Sequence, residues 1–197
     1  MQPIHPHGLL LTGGRSTRAG TDKATLLVEG VTLASRTARA LSEVAEPVLV
    51  VGPDAGLGFE TVDDPRRGPL VAFVWGAEAL RARSHAGPIL LVACDLPFVT
   101  PGLLAFVAGS VGDAHAAVPT VEGWDQPLAA CYAHDATRIA RDVVDAGAES
   151  MRELLDALDV RRLPESEWAG VAAATALIDV DTPADLEMAR RMARSSI

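Results

Sequence analysis

Gly8-Leu9-Leu10-Leu11-Thr12-Gly13-Gly14-Arg15-Ser16-Thr17-Arg18-Ala19-Gly20-Thr21-Asp22-Lys23 is the stretch on which the reading of this chain turns. It opens as a short apolar strand, Gly8 to Thr12, and stops at a glycine pair. Gly13 and Gly14 let the backbone approach a ligand closely and offer amide N–H groups to phosphate oxygens. Arg15, Arg18 and Lys23 place three of the chain's 17 cations within nine residues, as a polyanion would require. Gly20 and Asp22 supply turns that fold the loop back over its contents. No Gly-Lys-Ser or Gly-Lys-Thr ends the stretch, so it is not a Walker A loop. The third glycine of the dinucleotide fingerprint is also missing, and no helix starts at once.

The rest of the chain alternates strands with helices. Thr32 to Val44 repeats apolar residues at helical spacing, with Leu33, Ala34, Thr37, Ala40, Leu41 and Val44 on one side. Val48 to Val51 is a strand closed by Gly52-Pro53, Leu70 to Arg83 a helix, and Pro88 to Ala93 a strand buried on both faces. Thr100-Pro101 opens a helix, with Thr as cap and Pro at its first position. Ala116 to Thr120 and Leu128 to Tyr132 read as strands around the turn-rich Glu122-Gly123-Trp124-Asp125. Ala136 to Ala146 and Ser150 to Leu158 read as helices, Val160 to Leu163 and Leu177 to Val180 as strands. Thr182-Pro183 starts a last helix that ends near Arg194. The pattern implies one α/β domain over residues 1–197, a mostly parallel sheet with helices on both faces. In such sheets ligands bind beyond the carboxyl ends of the strands.

Composition narrows the class. The chain has 197 residues, 49% of them apolar and only 4% aromatic, so its core is aliphatic. Its net charge of −9 and the lack of a basic stripe argue against nucleic acid as a partner. No apolar run approaches the roughly 20 residues of a membrane span, and no secretory signal is read, so the cytoplasm is the expected compartment. Cys94 and Cys131 sit in apolar runs and read as reduced core residues. The five histidines lack metal spacing and are assigned no role.

Three further motifs fall at or after strand ends. Cys94-Asp95-Leu96-Pro97-Phe98 closes the most apolar strand, where a carboxylate could hold a hard cation or merely shape a turn. In Asp179-Val180-Asp181-Thr182-Pro183, residues two apart on an extended segment point the same way, so both carboxylates could face one site. Asp181 could instead support the helix that starts at Thr182. Asp63-Asp64-Pro65-Arg66-Arg67-Gly68-Pro69-Leu70 precedes a helix whose free amides could meet a ligand.

In this order the motifs resemble the molybdenum cofactor guanylyltransferase family, within the larger group of nucleoside-triphosphate transferases. The family's Leu-Ala-Gly-Gly, Arg-Met-Gly and Asp-Lys stand here as Leu11-Thr12-Gly13-Gly14, Arg18-Ala19-Gly20 and Asp22-Lys23. Its Gly-Pro-Leu after an Asp-Pro turn stands as Asp64-Pro65 and Gly68-Pro69-Leu70, and its Cys-Asp-Met-Pro-Phe as Cys94-Asp95-Leu96-Pro97-Phe98. A central Pro-Leu-x-Ala-x-Tyr stands as Pro127-Leu128-Ala129-Ala130-Cys131-Tyr132. The closing Asn-x-Asn-Thr-Pro-x-Asp-Leu runs from Asp179 to Leu186, with Asp179 and Asp181 for the two Asn. Gly52-Pro53 replaces an Asn that members often carry near the base.

The resemblance implies a Rossmann-like three-layer α/β/α nucleotidyltransferase fold. It implies transfer of GMP from GTP to the terminal phosphate of a phosphorylated pterin, with Mg²⁺ and release of pyrophosphate. Leu11, Thr12, Gly13, Gly14, Lys23, Asp64 and Asp95 would bind the nucleotide. Lys23, Arg18 and Asp95 would be catalytic, and Asp95 and Asp181 would hold the metal. Residues Glu122 to Gln126 and Ser150-Met151-Arg152 are acceptor-side candidates, Trp124 as a stacking surface for the pterin. The expected assembly is a monomer or weak oligomer. A cytidylyltransferase using CTP, or another nucleotidyltransferase serving a small phosphorylated metabolite, is the alternative enzyme, because such transferases share the first and third motifs. A non-catalytic nucleotide-binding accessory protein is the alternative outside enzymes.

Overall fold

The computed structural model describes residues 5–13 and 23–195. Its centre is a mixed sheet in the order β10-β7-β9-β6-β1-β4-β5, with β8 paired to β7 alone. The strands are β1 (His7–Leu11), β4 (Val48–Val51), β5 (Glu60–Val62), β6 (Ile89–Ala93), β7 (Ala116–Val121), β8 (Trp124–Asp125), β9 (Ala129–Tyr132) and β10 (Val160–Leu163). A separate two-stranded hairpin is formed by β2 (Leu27–Val28) and β3 (Val31–Thr32). β1, β4, β5 and β6 pair in parallel, and β9 runs antiparallel to both β6 and β7. The expected mostly parallel sheet is therefore present, with one reversed strand in its middle.

Helices cover both faces, and the strand residues divide between them by alternation. Leu10, Val50, Leu90 and Val92 pack with α1 (Leu33–Ser42), α3 (Pro101–Gly109) and Trp168 of α6 (Glu165–Trp168). Leu9, Leu11, Leu49, Val51 and Leu91 pack with α2 (Pro69–Ala82), α4 (Ala136–Asp145) and α5 (Met151–Ala157). Runs such as Leu9-Leu10-Leu11 are continuously apolar because both of their faces are covered. The helix starts follow local chemistry. Thr100 Oγ1 accepts from the Leu103 N–H at 3.2 Å, and Ser150 and Glu153 form a reciprocal capping box.

One expected strand is absent. Leu177 to Val180 forms no ladder; a 3₁₀ turn over Ala174–Leu177 leads into an irregular segment. That segment passes the end of β6 without joining the sheet, and the Val180 N–H donates to Asp95 O at 3.0 Å. It leads directly into α7 (Pro183–Ser195).

No helix among the described residues is long and apolar enough to cross a membrane. Cys94 and Cys131 are both buried and unpaired with each other, and burial pushes the Cys131 thiol up to about 12.

Candidate active site

β1, β4, β5 and β6 end on the same edge of the sheet, and the residues that follow them meet there. After β1, Thr12 is buried, and its hydroxyl donates to Pro53 O at 2.9 Å. This ties the start of the glycine stretch to the Gly52-Pro53 turn. Gly52 has φ +126°, and a β-carbon on it would lie 2.7 Å from Thr12 Oγ1 and on the Gly13 amide. Gly13 is equally confined, because a β-carbon there would overlap Asp64 Oδ2. Asp64 Oδ1 accepts from the Arg66 N–H at 2.8 Å. Two motifs separated by some fifty residues in sequence thus close on each other at a glycine where a side chain would displace the Asp64 carboxylate.

The second convergence lies at the end of β6. Lys23 begins a 3₁₀ turn (Lys23–Thr25), and its Nζ donates to Asp95 Oδ2 at 3.3 Å and to Asp181 Oδ1. Asp179 makes no hydrogen bond to Lys23 and reaches it through charge alone. One ammonium is therefore bonded by two carboxylates, with a third, Asp179, near enough to feel its charge. Burial works to lower the Lys23 pKa, but the hydrogen bond to Asp181 and the charges of Asp95 and Asp181 outweigh it, so the pKa is raised. Burial raises the Asp95 pKa despite Lys23, and the charges of Asp179 and Asp181 add to the rise. Burial and then the Asp181 charge raise that of Asp179. The ammonium is over-compensated and the carboxylates are under-compensated.

Asp95 is held from several sides. The Cys94 N–H donates to Leu11 O at 3.0 Å, tying the turn to the end of β1, and Asp95 O receives the Val180 N–H. The buried Thr37 hydroxyl of α1 lies 3.3 Å from Cys94 O and 3.1 Å from Leu96 O. Sequence reading missed this contact, although a threonine within the apolar stripe of α1 was its visible sign. Asp181 does not cap α7. That part falls to Thr182 and Asp185, which exchange bonds of 2.7 Å and 3.2 Å. The Asp181 carboxylate is left facing Lys23.

The remaining expected residues divide. Gly14, Arg15, Arg18, Gly20 and Asp22 lie outside the described residues. Leu11 is buried as the last residue of β1, with only its backbone near the site. Trp124 is 74% exposed on β8, beyond a tight turn whose Glu122 and Gly123 both have positive φ. Ser150 serves the cap of α5 and Met151 is buried, which leaves Arg152 exposed. Arg67 pairs with Glu149 at 3.3 Å, just before the Gly68 that starts α2.

A mostly parallel α/β sheet whose strand ends gather a glycine turn and a lysine held by two carboxylates defines a nucleotidyltransferase. The model of the MobA-like NTP transferase domain matches residues 8–163, and the chain belongs to that family. A probable molybdenum cofactor guanylyltransferase of Chloroflexus aggregans is 32% identical over 94% of this chain and 95% of its own. One of Mycolicibacterium paratuberculosis is 36% identical over 91% and 92%. Among solved structures, molybdopterin-guanine dinucleotide biosynthesis protein A of Archaeoglobus fulgidus superposes with a TM-score of 0.79 at 22% identity, covering 96% of this chain and 99% of that one. The 2-C-methyl-D-erythritol 4-phosphate cytidylyltransferase of Thermus thermophilus superposes with a TM-score of 0.67 at 24% identity, covering 94% and 98%. The two superpositions speak for the fold.

Proposed function

We propose that this chain transfers GMP from GTP to the terminal phosphate of a molybdopterin-type molybdenum cofactor, with Mg²⁺, and releases pyrophosphate. The observation that carries the reading is the convergence of Lys23, Asp95 and Asp181 on one point beyond β6. The curated relatives' names supply the donor and the acceptor.

The residues fit the metal. Two carboxylates already close on a single cation, the Lys23 ammonium, and Mg²⁺ is held by one or two carboxylates plus substrate phosphates rather than by a full protein cage. Asp95 and Asp181 would hold it, Asp181 in preference to Asp179 because only Asp181 meets Lys23 directly. Bound there, Mg²⁺ supplies charge neutralisation to the triphosphate oxygens. The Gly13-Gly14 amides, Arg18 and Lys23 hold the phosphates, and Asp64 against Gly13 fixes the turn on which the nucleotide lies. An oxygen of the acceptor phosphate forms a bond to the α-phosphorus in line, the bond from that phosphorus to the α–β bridging oxygen breaks, and pyrophosphate leaves. The attacking phosphate is already ionised at neutral pH, so no side chain needs to remove a proton. Catalysis is alignment and charge stabilisation. The cytoplasm is the compartment that goes with this reading.

A thermal-shift panel of GTP, CTP, ATP and UTP, each with Mg²⁺, followed by pyrophosphate release with the pterin acceptor, tests it. Selective stabilisation by GTP and acceptor-dependent release are expected. Lys23→Ala and Asp95→Ala should each lower turnover by roughly thirty-fold to a thousand-fold, the equivalent of about 2–4 kcal/mol. Selective stabilisation by CTP would move the donor to the cytidylyl class. Near-normal turnover in both variants would remove the site.

A further inference from the structure

Asp95 is part of the turn Cys94-Asp95-Leu96, and the two carbonyls flanking it converge on a single side chain from another element. Thr37, 0% exposed in the middle of α1, has its hydroxyl oxygen 3.3 Å from Cys94 O and 3.1 Å from Leu96 O, and 3.2 Å from Leu33 O in its own helix. A threonine hydroxyl has one proton to give, so the three carbonyls share it. The bond to Leu33 O is the local back-bond that a helical threonine makes unaided, and it slightly disfavours the helix. The other two are fifty-seven and fifty-nine residues away in sequence.

The surroundings of Thr37 are aliphatic. Ala34, Ala38 and Leu41 of α1 and Leu10 and Val92 of the sheet form the same core. Valine has the same shape and would suit that core without any hydroxyl to satisfy. What valine could not do is grip the backbone on both sides of Asp95. We propose that Thr37 is a positioning residue, which fixes the direction of the Asp95 carboxylate by holding the carbonyls before and after it. This rests on the reading of Asp95 as the residue that holds the metal–nucleotide complex. Together with the Val180 N–H on Asp95 O and the Cys94 N–H on Leu11 O, the hydroxyl leaves the turn little freedom. The carboxylate then meets its cation without having to be ordered first.

A double-mutant cycle on binding tests the assignment. Calorimetric titration of the full chain with GTP, and separately with CTP, in the presence of Mn²⁺ would be run on the wild type, Thr37→Val, Thr37→Ser, Asp95→Asn and the Thr37→Val/Asp95→Asn double variant, with thermal unfolding of each. Thr37→Val should weaken Mn²⁺-nucleotide binding by roughly five- to tenfold, the scale of one hydrogen bond. Thr37→Ser, which keeps the hydroxyl, should stay within about twofold of the wild type. In the Asp95→Asn background, Thr37→Val should add almost no further loss of binding, while lowering the unfolding temperature as it does alone. Wild-type affinity in Thr37→Val, an equal loss in both backgrounds, or a Thr37→Ser as weak as Thr37→Val would each overturn the positioning role. If Thr37→Val does not fold, Thr37→Ala runs the same cycle. Asp95→Asn binding as tightly as the wild type would instead overturn the site itself.

Discussion

At the scale of single residues, the site is defined as much by missing atoms as by present ones. Gly13 has no room for a β-carbon because the Asp64 carboxylate occupies that space. Gly13→Ala should therefore push Asp64 aside rather than unfold the protein, since the carboxylate is the end of a partly exposed side chain and can rotate away. The expected result is a change in stability below about 1 kcal/mol with nucleotide affinity lowered by on the order of tenfold, one hydrogen-bond equivalent. Asp64→Ala should remove most of the penalty of Gly13→Ala when the two are combined. Calorimetric affinity and the melting temperature, measured on both single variants and the double, decide it; a Gly13→Ala that binds nucleotide normally would show that the packing is incidental. Much of this site was legible in the sequence. Gly13 and Asp95 were visible because each follows the end of an apolar strand, and Lys23 because it closes a stretch that gathers three cations within nine residues. The juxtaposition of Asp64 with Gly13 and of Thr37 with Cys94 and Leu96 was not legible, because no local pattern encodes which distant backbone a side chain will touch.

At the scale of elements, long periodic segments declare themselves and short ones do not. The helices α1, α2, α4 and α5 lie within a few residues of where apolar spacing put them. The strands β2, β3 and β8 have two residues each and β5 has three, too few for alternation to show. Leu177 to Val180 has the composition of a strand but pairs with none, and composition cannot report that. The reversal of β9 also escaped a reading based on alternating strands and helices. It depends on a short return through Gln126 to Leu128, where the Ala129 N–H bonds to Gln126 O at 3.1 Å. Packing between elements yields its own prediction at Gly76, inside α2. A β-carbon there would lie 2.7 Å from Val51 Cγ2 and 2.9 Å from Leu9 Cδ1, both core residues of the sheet. Gly→Ala within a helix ordinarily stabilises by about 1 kcal/mol, whereas overpacking a filled core costs about 1–3 kcal/mol. The packing cost should win, and Gly76→Ala should lose about 1 kcal/mol in urea unfolding without altering the m-value. A net gain would mean that α2 can move off the sheet freely.

At the scale of the whole molecule, whose net charge is −9, the site adds acids to acids: Asp95 and Asp181 meet one ammonium and Asp179 adds a third negative charge nearby. A carboxylate whose folded pKa lies above its unfolded value holds its proton more tightly in the native state. Its contribution to stability is then greatest below the unfolded value, 3.8 for an aspartate, and falls as pH rises through the folded value. Asp95 and Asp179 are of this kind, first through burial and then through neighbouring carboxylates, although Lys23 opposes the rise. Asp185 is the opposite case. The Thr182 hydroxyl and amide hold its pKa down, so its contribution is present above 3.8 and is lost as pH falls through its lower folded value. Lys23, with a raised pKa, contributes below 10.5, and that contribution disappears only in the alkaline range as pH passes its folded value. Between pH 4 and neutrality, then, the Asp185 contribution is already in place, and the site carboxylates lose theirs as pH rises. Total stability sums every group, and a difference between two proteins isolates one of them. Urea unfolding of the wild type and of Asp95→Asn, both free of divalent metal, should give a wild-type advantage that shrinks as pH rises from 4 toward 7. A functional acid cluster kept short of cations behaves this way, since each ionised group within it is a cost that a bound metal would relieve. An advantage that grew toward neutrality would show that Lys23 alone satisfies Asp95, and the cluster would then be a closed ion pair with no need of another cation.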